Sequence, residues 1–317
     1  MTRWGIVATI KADAPDILRF VSYHLELGAH RIYIYLDAPC PQAQAALEAH
    51  PKSRVIHCDD DHWQRYNNGN RPAMHQPRQT FNVTRAYRRT SDLDWLIHMD
   101  VDEFLASGGQ IASHLAALPE GIQCARARPM ELLADSDPQV EAAFKTFIPA
   151  GKGREQTVAA LYPTYGDHLK GGFLSHIAGK VFVRTGTPGL KFRIHNAFLD
   201  GETNTNHIEM PDIHLAHFHA TDWESWHAHF AYRHREGSYR ADLGSSRSRE
   251  RGGITMHELF AMIHAEEGEA GLRHFFSEVC EDTPELRARL EAQGHLRLHS
   301  FPFDTSLAKH FPDFTII

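Results

Sequence analysis

The sequence predicts an α/β protein whose mostly parallel sheet carries helices on both faces. Three observations carry this reading. From residue 4 to residue 99, short apolar runs alternate with stretches of helical periodicity. Such alternation implies right-handed crossovers between parallel strands. The apolar runs also end in acids, at Asp13, Asp37, Asp59 and Asp100. Acids at the carboxyl ends of strands collect along one edge of an open sheet, which is where such sheets bind ligands.

Each element follows in order. Trp4 to Ile10 reads as a buried strand, and Asp13 caps a helix with Pro15 in its first turn. Ile17, Leu18, Val21 and Leu25 recur at helical spacing until Gly28. Arg31 to Leu36 is the next strand, Gln42 to His50 a helix, and Ser53 to Cys58 a third strand. Asp59 to Asp61 open a polar run that leads into a loop containing Asn67, Asn68, Gly69 and Asn70. A helix from about Gln76 to Arg89 precedes the strand Trp95 to Met99. The second part is less regular. Gln123 to Leu132 reads as a strand, and Lys180 to Arg184 with Leu190 to Ile194 as a hairpin. Ile213 to Phe218 is a strand, and Asp222 caps a helix reaching about Arg235. The Arg/Ser-rich segment 244–253 reads as a mobile loop. Helices cover about Thr255 to His264, Glu267 to Val279 and Pro284 to Gln293. Residues 1–235 are therefore expected to form the catalytic domain. Residues 236–317 are expected to form a helical extension packed on it.

Composition narrows the function. A hydrophobic fraction of 42% and a charged fraction of 23% suit an ordinary globular protein. The net charge of −7 argues against nucleic acid as a partner. No apolar run approaches the roughly 20 residues of a membrane span. Neither does the N-terminus show a signal-peptide pattern. Cys40, Cys58, Cys124 and Cys280 form no C-x-x-C pair and read as reduced thiols. The expected location is the cytoplasm, at most peripheral to the inner face of the membrane. The 24 His are numerous, and several cluster at 214–219 and 227–229.

The segment Asp94 to Leu105 is the most informative. Its apolar run ends in Asp100, Asp102 and Glu103. Of four D-x-D triplets, only Asp100/Asp102 terminates a hydrophobic strand. On a fully extended strand the two would point the same way. Clustered carboxylates repel and cost stability unless a cation or a donor network compensates them. A hard divalent metal carrying a phosphorylated ligand fits that need.

With strand–acid, strand–acid and then Asp-x-Asp-Glu-Phe, the chain resembles GT-A glycosyltransferases of the family-2-like and family-92-like groups. The matching pieces are Ile10-Lys11 and the helix end from His24 to Gly28. They continue with the strand Ile32 to Tyr35, Gln79, Asp94-Trp95 and Asp100 to Leu105. Lys180 to Phe182 and His217-Phe218 complete the set, spanning residues 4 to 235. Ala12-Asp13 departs from the Asn-Glu of many relatives. The resemblance implies a Rossmann-like GT-A sheet with a small antiparallel addition. It also implies sugar transfer from a UDP- or GDP-sugar to a hydroxyl of a carbohydrate, lipid or protein, with inversion.

Residue by residue, the resemblance makes Asp102 the direct ligand of Mn²⁺ or Mg²⁺. Asp100 becomes the contact to ribose or to metal-bound water, and His217 a second protein ligand with His219 its competitor. Only one of those two imidazoles is expected to face the site. Lys11, Asp13 and Asp37 match positions that hold base and ribose. Lys180 is expected to neutralise phosphate, Arg78 and Gln79 to reach the sugar, and Glu103 either to support the metal pair or to act as a structural acceptor. An inverting reaction also needs a base across the sugar from the leaving group. Asp167, His168, His176 and His195 lie where acceptor-side groups are expected, with Asp167 and His195 the chosen candidates. The main rival is a metal-dependent hydrolase built on His217, His219 and Asp222. A third class is a silent nucleotide-sugar-binding module.

Overall fold

The structure, a computed structural model, describes residues 1–204 and 206–315. The first half runs β1 (Trp4–Ile10), α1 (Ala14–Glu26), β2 (Arg31–Leu36), α2 (Pro41–Ala49), β3 (Ser53–His57), α3 (Asp60–Asn67), α4 (His75–Arg89), β4 (Trp95–His98), β5 (Glu103–Ser107) and α5 (Ile111–Ala116). Next come β6 (Cys124–Leu132), β7 (Ala142–Thr146), α6 (Arg154–Leu161), β8 (Lys180–Arg184), β9 (Lys191–Phe192), β10 (Ala197–Leu199), β11 (Glu202–Thr203) and β12 (His207–His217). The chain ends with α7 (Trp223–Ala228), α8 (Phe230–Arg235), α9 (Met256–Val279), α10 (Pro284–Ala292), β13 (Leu296–His299) and α11 (Phe303–His310).

The fold is α/β, and the chain divides into two units of interleaved segments. The first holds Met1–Arg128, Ala178–Leu215 and Pro302–Ile317; the second holds Pro129–Ile177 and Ala216–Phe301. In the first unit β4, β1, β2 and β3 lie side by side in parallel. β1 is buried at every position, so apolar side chains on both faces are covered. β8 continues the sheet antiparallel to β4, and residues 124–127 of β6 pair with β8 in turn. A small antiparallel sheet of β9, β10 and β11 stands apart. Val7, Trp63, Val83, Leu96 and Val183 anchor the core of this unit.

The second unit has a core of its own. Trp226, Tyr239, Phe260, Phe275 and Phe276 are buried there among aliphatic residues. Its strands β7 and β13 pair antiparallel, and β7 also pairs with residues 130–132 of β6. Among the described residues, no helix is long and apolar enough to cross a membrane.

Several expectations need correction. Residues 180–184 and 190–194 form no hairpin: both edges of β8 are taken by β4 and β6, and Lys191–Phe192 pairs with β10 instead. The polar run after Asp59 is a helix, α3, because the Asp59 carboxylate caps it by accepting from the His62 amide at 2.9 Å. The helix after Asp222 is interrupted at His229. Within α9 the two helices expected at 255–279 stand, parted at Gly268, whose backbone with φ 64° is not helical. Finally, β4 stops at His98, and the chain turns so that the Glu103 amide donates to the Asp100 carbonyl at 3.1 Å. Asp100 and Asp102 therefore do not share one extended strand, and the alignment expected from it is not formed.

Candidate functional site

The candidate site lies in the first unit, where parallel strands β1, β2 and β4 end. Two charge clusters occupy it, and consecutive residues of α4 hold them.

The first cluster surrounds Asp37, which follows β2. Its side chain is 1% exposed. Oδ2 accepts from Arg78 Nε at 2.8 Å, and Oδ1 accepts from Arg71 Nη2 at 3.1 Å. His75 Nδ1 lies 3.5 Å away. Burial opposes ionisation, yet the His75 contact and the two guanidiniums bring the Asp37 carboxyl below its usual value. Arg78 also donates to the carbonyls of Pro72 and Ala73 at 2.8 and 2.7 Å. It thus clamps the segment before α4 onto the strand end, and that is where its donors point.

The second cluster is built on the turn after β4. Lys180 Nζ donates to Asp100 Oδ2 at 2.6 Å and lies 3.2 Å from Glu103 Oε2. The same Glu103 oxygen accepts from the Asp100 amide at 2.8 Å. Gln79 Nε2 donates to Asp100 Oδ1. Lys180 and Glu103 are buried, while the Asp100 side chain is 34% exposed. Burial would raise the Asp100 carboxyl, but the Lys180 ammonium holds it far below its usual value. Burial would likewise lower Lys180, but Asp100 and then Glu103 hold it above. Lys180 is accordingly the counter-ion of two acids, with its charge directed at them.

The remaining predicted residues fall in different places. Asp102 is half-buried in the turn that follows Asp100. Its charge reaches Asp16: desolvation, Asp13 and Asp102 together raise the Asp16 carboxyl above its usual value despite Arg19. Asp13 serves as the cap of α1, accepting from the Asp16 amide at 3.1 Å, and Lys11 is exposed. His195 Nδ1 lies 2.9 Å from the Gly179 carbonyl. A carbonyl only accepts, so Nδ1 carries the proton.

Asp167 and His217 belong to the second unit. Asp167 is exposed and paired with Arg247. The rings of His217 and His219 are 5.3 Å apart, so the two imidazoles are not divided between opposite faces. Residues two apart on an extended chain point alike. His219 Nε2 is 2.9 Å from the Tyr239 hydroxyl. Asp222 caps α7, with Oδ1 accepting from the Ser225 amide at 2.7 Å. The hydrolase reading needs those two groups as metal ligands, and here they have structural partners. Among the described residues, no group of three or more His, Cys, Asp or Glu is arranged to hold a metal.

Four residues escaped the sequence reading: Arg71, His75, Asn82 and His98. Asn82 is fully buried and donates to Thr9 Oγ1 at 3.1 Å, while its Oδ1 lies 3.1 Å from His62 Nε2. His75, Arg78, Gln79 and Asn82 stand at i, i+3, i+4 and i+7, one face of α4. That spacing was the available signal. His98 is fully buried, and among the described residues neither of its ring nitrogens has a hydrogen-bond partner. Burial, then Lys180, keep it neutral by holding its pKa well below the usual imidazole value.

Comparison with known proteins finds no family model and no curated protein that matches. Among solved structures, the galactosyltransferase LgtC in complex with donor and acceptor sugar analogs matches at 12% identity and a TM-score of 0.28, over 57% of each chain. HddC from Yersinia pseudotuberculosis matches at 12% identity and a TM-score of 0.28, over 45% of this chain and 67% of that one. The glycosyltransferase GlyE of Streptococcus pneumoniae TIGR4 matches at 18% identity and a TM-score of 0.26, over 40% of this chain and 30% of its own. The chain thus spans little more than half the length of LgtC. Likeness this slight assigns neither fold nor activity.

Proposed function

We propose that the chain is a GT-A-type glycosyltransferase that moves a sugar from a nucleotide-sugar donor to an acceptor hydroxyl, with inversion and with the help of Mn²⁺ or Mg²⁺. The observation that carries this is the charge imbalance at the strand ends. At the turn after β4, the single ammonium of Lys180 faces two carboxylates, Asp100 and Glu103. Around Asp37 the balance is reversed, with Arg71 and Arg78 against one carboxylate. A diphosphate would match both halves, with a divalent metal on the acidic side and anionic oxygens toward the exposed guanidinium of Arg71.

The donor set suits a hard divalent cation. Mg²⁺ is bound by one or two carboxylates together with substrate phosphates, and Asp102 and Asp100 supply such oxygens. A metal held there would stabilise charge on the departing nucleoside diphosphate. The chain's own residues do the rest. Gln79 and Lys180 fix the Asp100 carboxylate in one orientation before any ligand arrives, which lowers the ordering cost of binding. His195 is assigned as the base that takes the acceptor proton.

Calorimetric titration of UDP- and GDP-sugars with and without Mn²⁺ tests the reading. Wild type should bind one of them only with metal and turn it over slowly into free sugar. Asp102→Asn should lose that binding while melting near the wild-type temperature. Equal binding without metal, or an unfolded Asp102→Asn, would overturn the assignment of Asp102.

A further inference from the structure

We infer that the second unit carries an anion-binding site of its own, in a cavity of about 420 Å³ at the start of α6. A volume of this size lies within the range of small-molecule sites. Its lining holds five charged side chains: Arg154, Lys170 and Arg247 against Glu155 and Asp167. Both acids are already paired, Asp167 with Arg247 and Glu155 with Arg251. Among the described residues, Arg154 and Lys170 ion-pair with no carboxylate, so two cations face the cavity uncompensated.

Arg154 is the strongest of these. Its Nη2 is buried and, among the described residues, has no hydrogen-bond partner. A buried charged donor left unpaired is costly, and such groups call for an ion or ligand to complete them. The backbone makes room for it. A Cβ on Gly171 would stand 2.6 Å from Arg154 Nη2, and Gly171 adopts a φ of 66° that disfavours side chains. The guanidinium therefore lies against bare backbone at the cavity wall. The α6 N-terminus adds to the field, because its cap is Gly153 and no side chain satisfies its first amides.

Two cations and a glycine-lined backbone select an oxyanion, either a phosphate or a carboxylate. The shape of the guanidinium suits both. This inference stands apart from the proposed sugar transfer, since every residue in it belongs to the second unit.

Isothermal titration of the full chain with inorganic phosphate in the presence of EDTA tests it, with succinate as the parallel probe. Saturable, metal-independent binding of either is expected, and the one that binds names the oxyanion. Arg154→Gln should weaken it by about tenfold or more, as loss of a charge-assisted hydrogen bond does. Lys170→Gln should also weaken it, and serves if Arg154→Gln fails to fold. Asp102→Asn should leave it unchanged. Absence of saturable binding for both probes, or binding that neither basic-residue substitution weakens, would overturn the inference.

Discussion

Lys180 shows how one side chain can set the character of a site. Its side chain is 1% exposed, and both carboxylates it faces lie within 3.2 Å. Breaking a buried ion pair by removing one partner costs about 3–5 kcal/mol, because the other charge is left uncompensated. Lys180→Met should show that loss at pH 7 in urea denaturation. The pH dependence gives a sharper check. In wild type, Asp100 is held below the unfolded carboxylate value, so its contribution is present above about pH 4 and fades as pH falls through the folded value. Lys180 is held above its unfolded value, so its contribution is complete below about pH 10.4 and is lost as pH rises through the folded one. In Lys180→Met, Asp100 keeps its desolvation and loses its main counter-ion, so its pKa rises and acidification from pH 7 to pH 5 should restore stability. A variant equally weak at both values would show that the acids find another partner.

At the scale of elements, α4 organises the site through a polar face that is buried at Gln79 and Asn82. Apolar periodicity finds helices by their oily stripe. Here the stripe holds His75, Arg78, Gln79 and Asn82, interleaved with Val83 and Ala86. The sequence located this helix to within a residue and singled out Arg78 and Gln79, but it assigned them to the sugar. Their partners Asp37 and Asp100 lie 41 and 21 residues away, and no local pattern encodes pairing over that distance. The strands β1, β2 and β8 were legible to the residue because each is a β-branched or aromatic run bounded by turn residues. The turn at Asp100 to Glu103 and the helix α3 were not, since both are decided by a carboxylate bonding to a backbone amide. Asn82 tests the importance of the polar face. It is fully buried and joins α4 to β1 through Thr9. Asn82→Ala leaves polar atoms of Thr9 and His62 without this partner, which costs about 1–3 kcal/mol. Urea denaturation should show it as a lower midpoint with an unchanged slope. A midpoint like that of wild type would mean water replaces the amide.

At the scale of the whole molecule, the chain leaves the first unit twice and returns, and its last return is α11. That helix docks on α1: Phe303 packs edge-on to Tyr23 with ring centroids 5.5 Å apart, and Lys309 reaches Glu26 at 2.7 Å. The exposed ion pair adds little, since such pairs are worth at most about 1 kcal/mol. The aromatic contact dominates. Phe303 is 5% exposed and its ring lies 4.7 Å from that of Phe104, the residue after Glu103. The C-terminal helix thus buttresses the strand that begins at the acidic turn. Phe303→Ala should cost about 3–5 kcal/mol, as other large-to-small core substitutions with an aromatic do. That is a large share of the 5–15 kcal/mol typical of a domain. Lys309→Ala, on the same helix, should cost less than about 1 kcal/mol. If the two substitutions prove equally mild in urea denaturation, α11 is an ornament on the first unit; the unequal pair expected here makes Phe303, near the far end of the sequence, part of the same core as Tyr23 of α1.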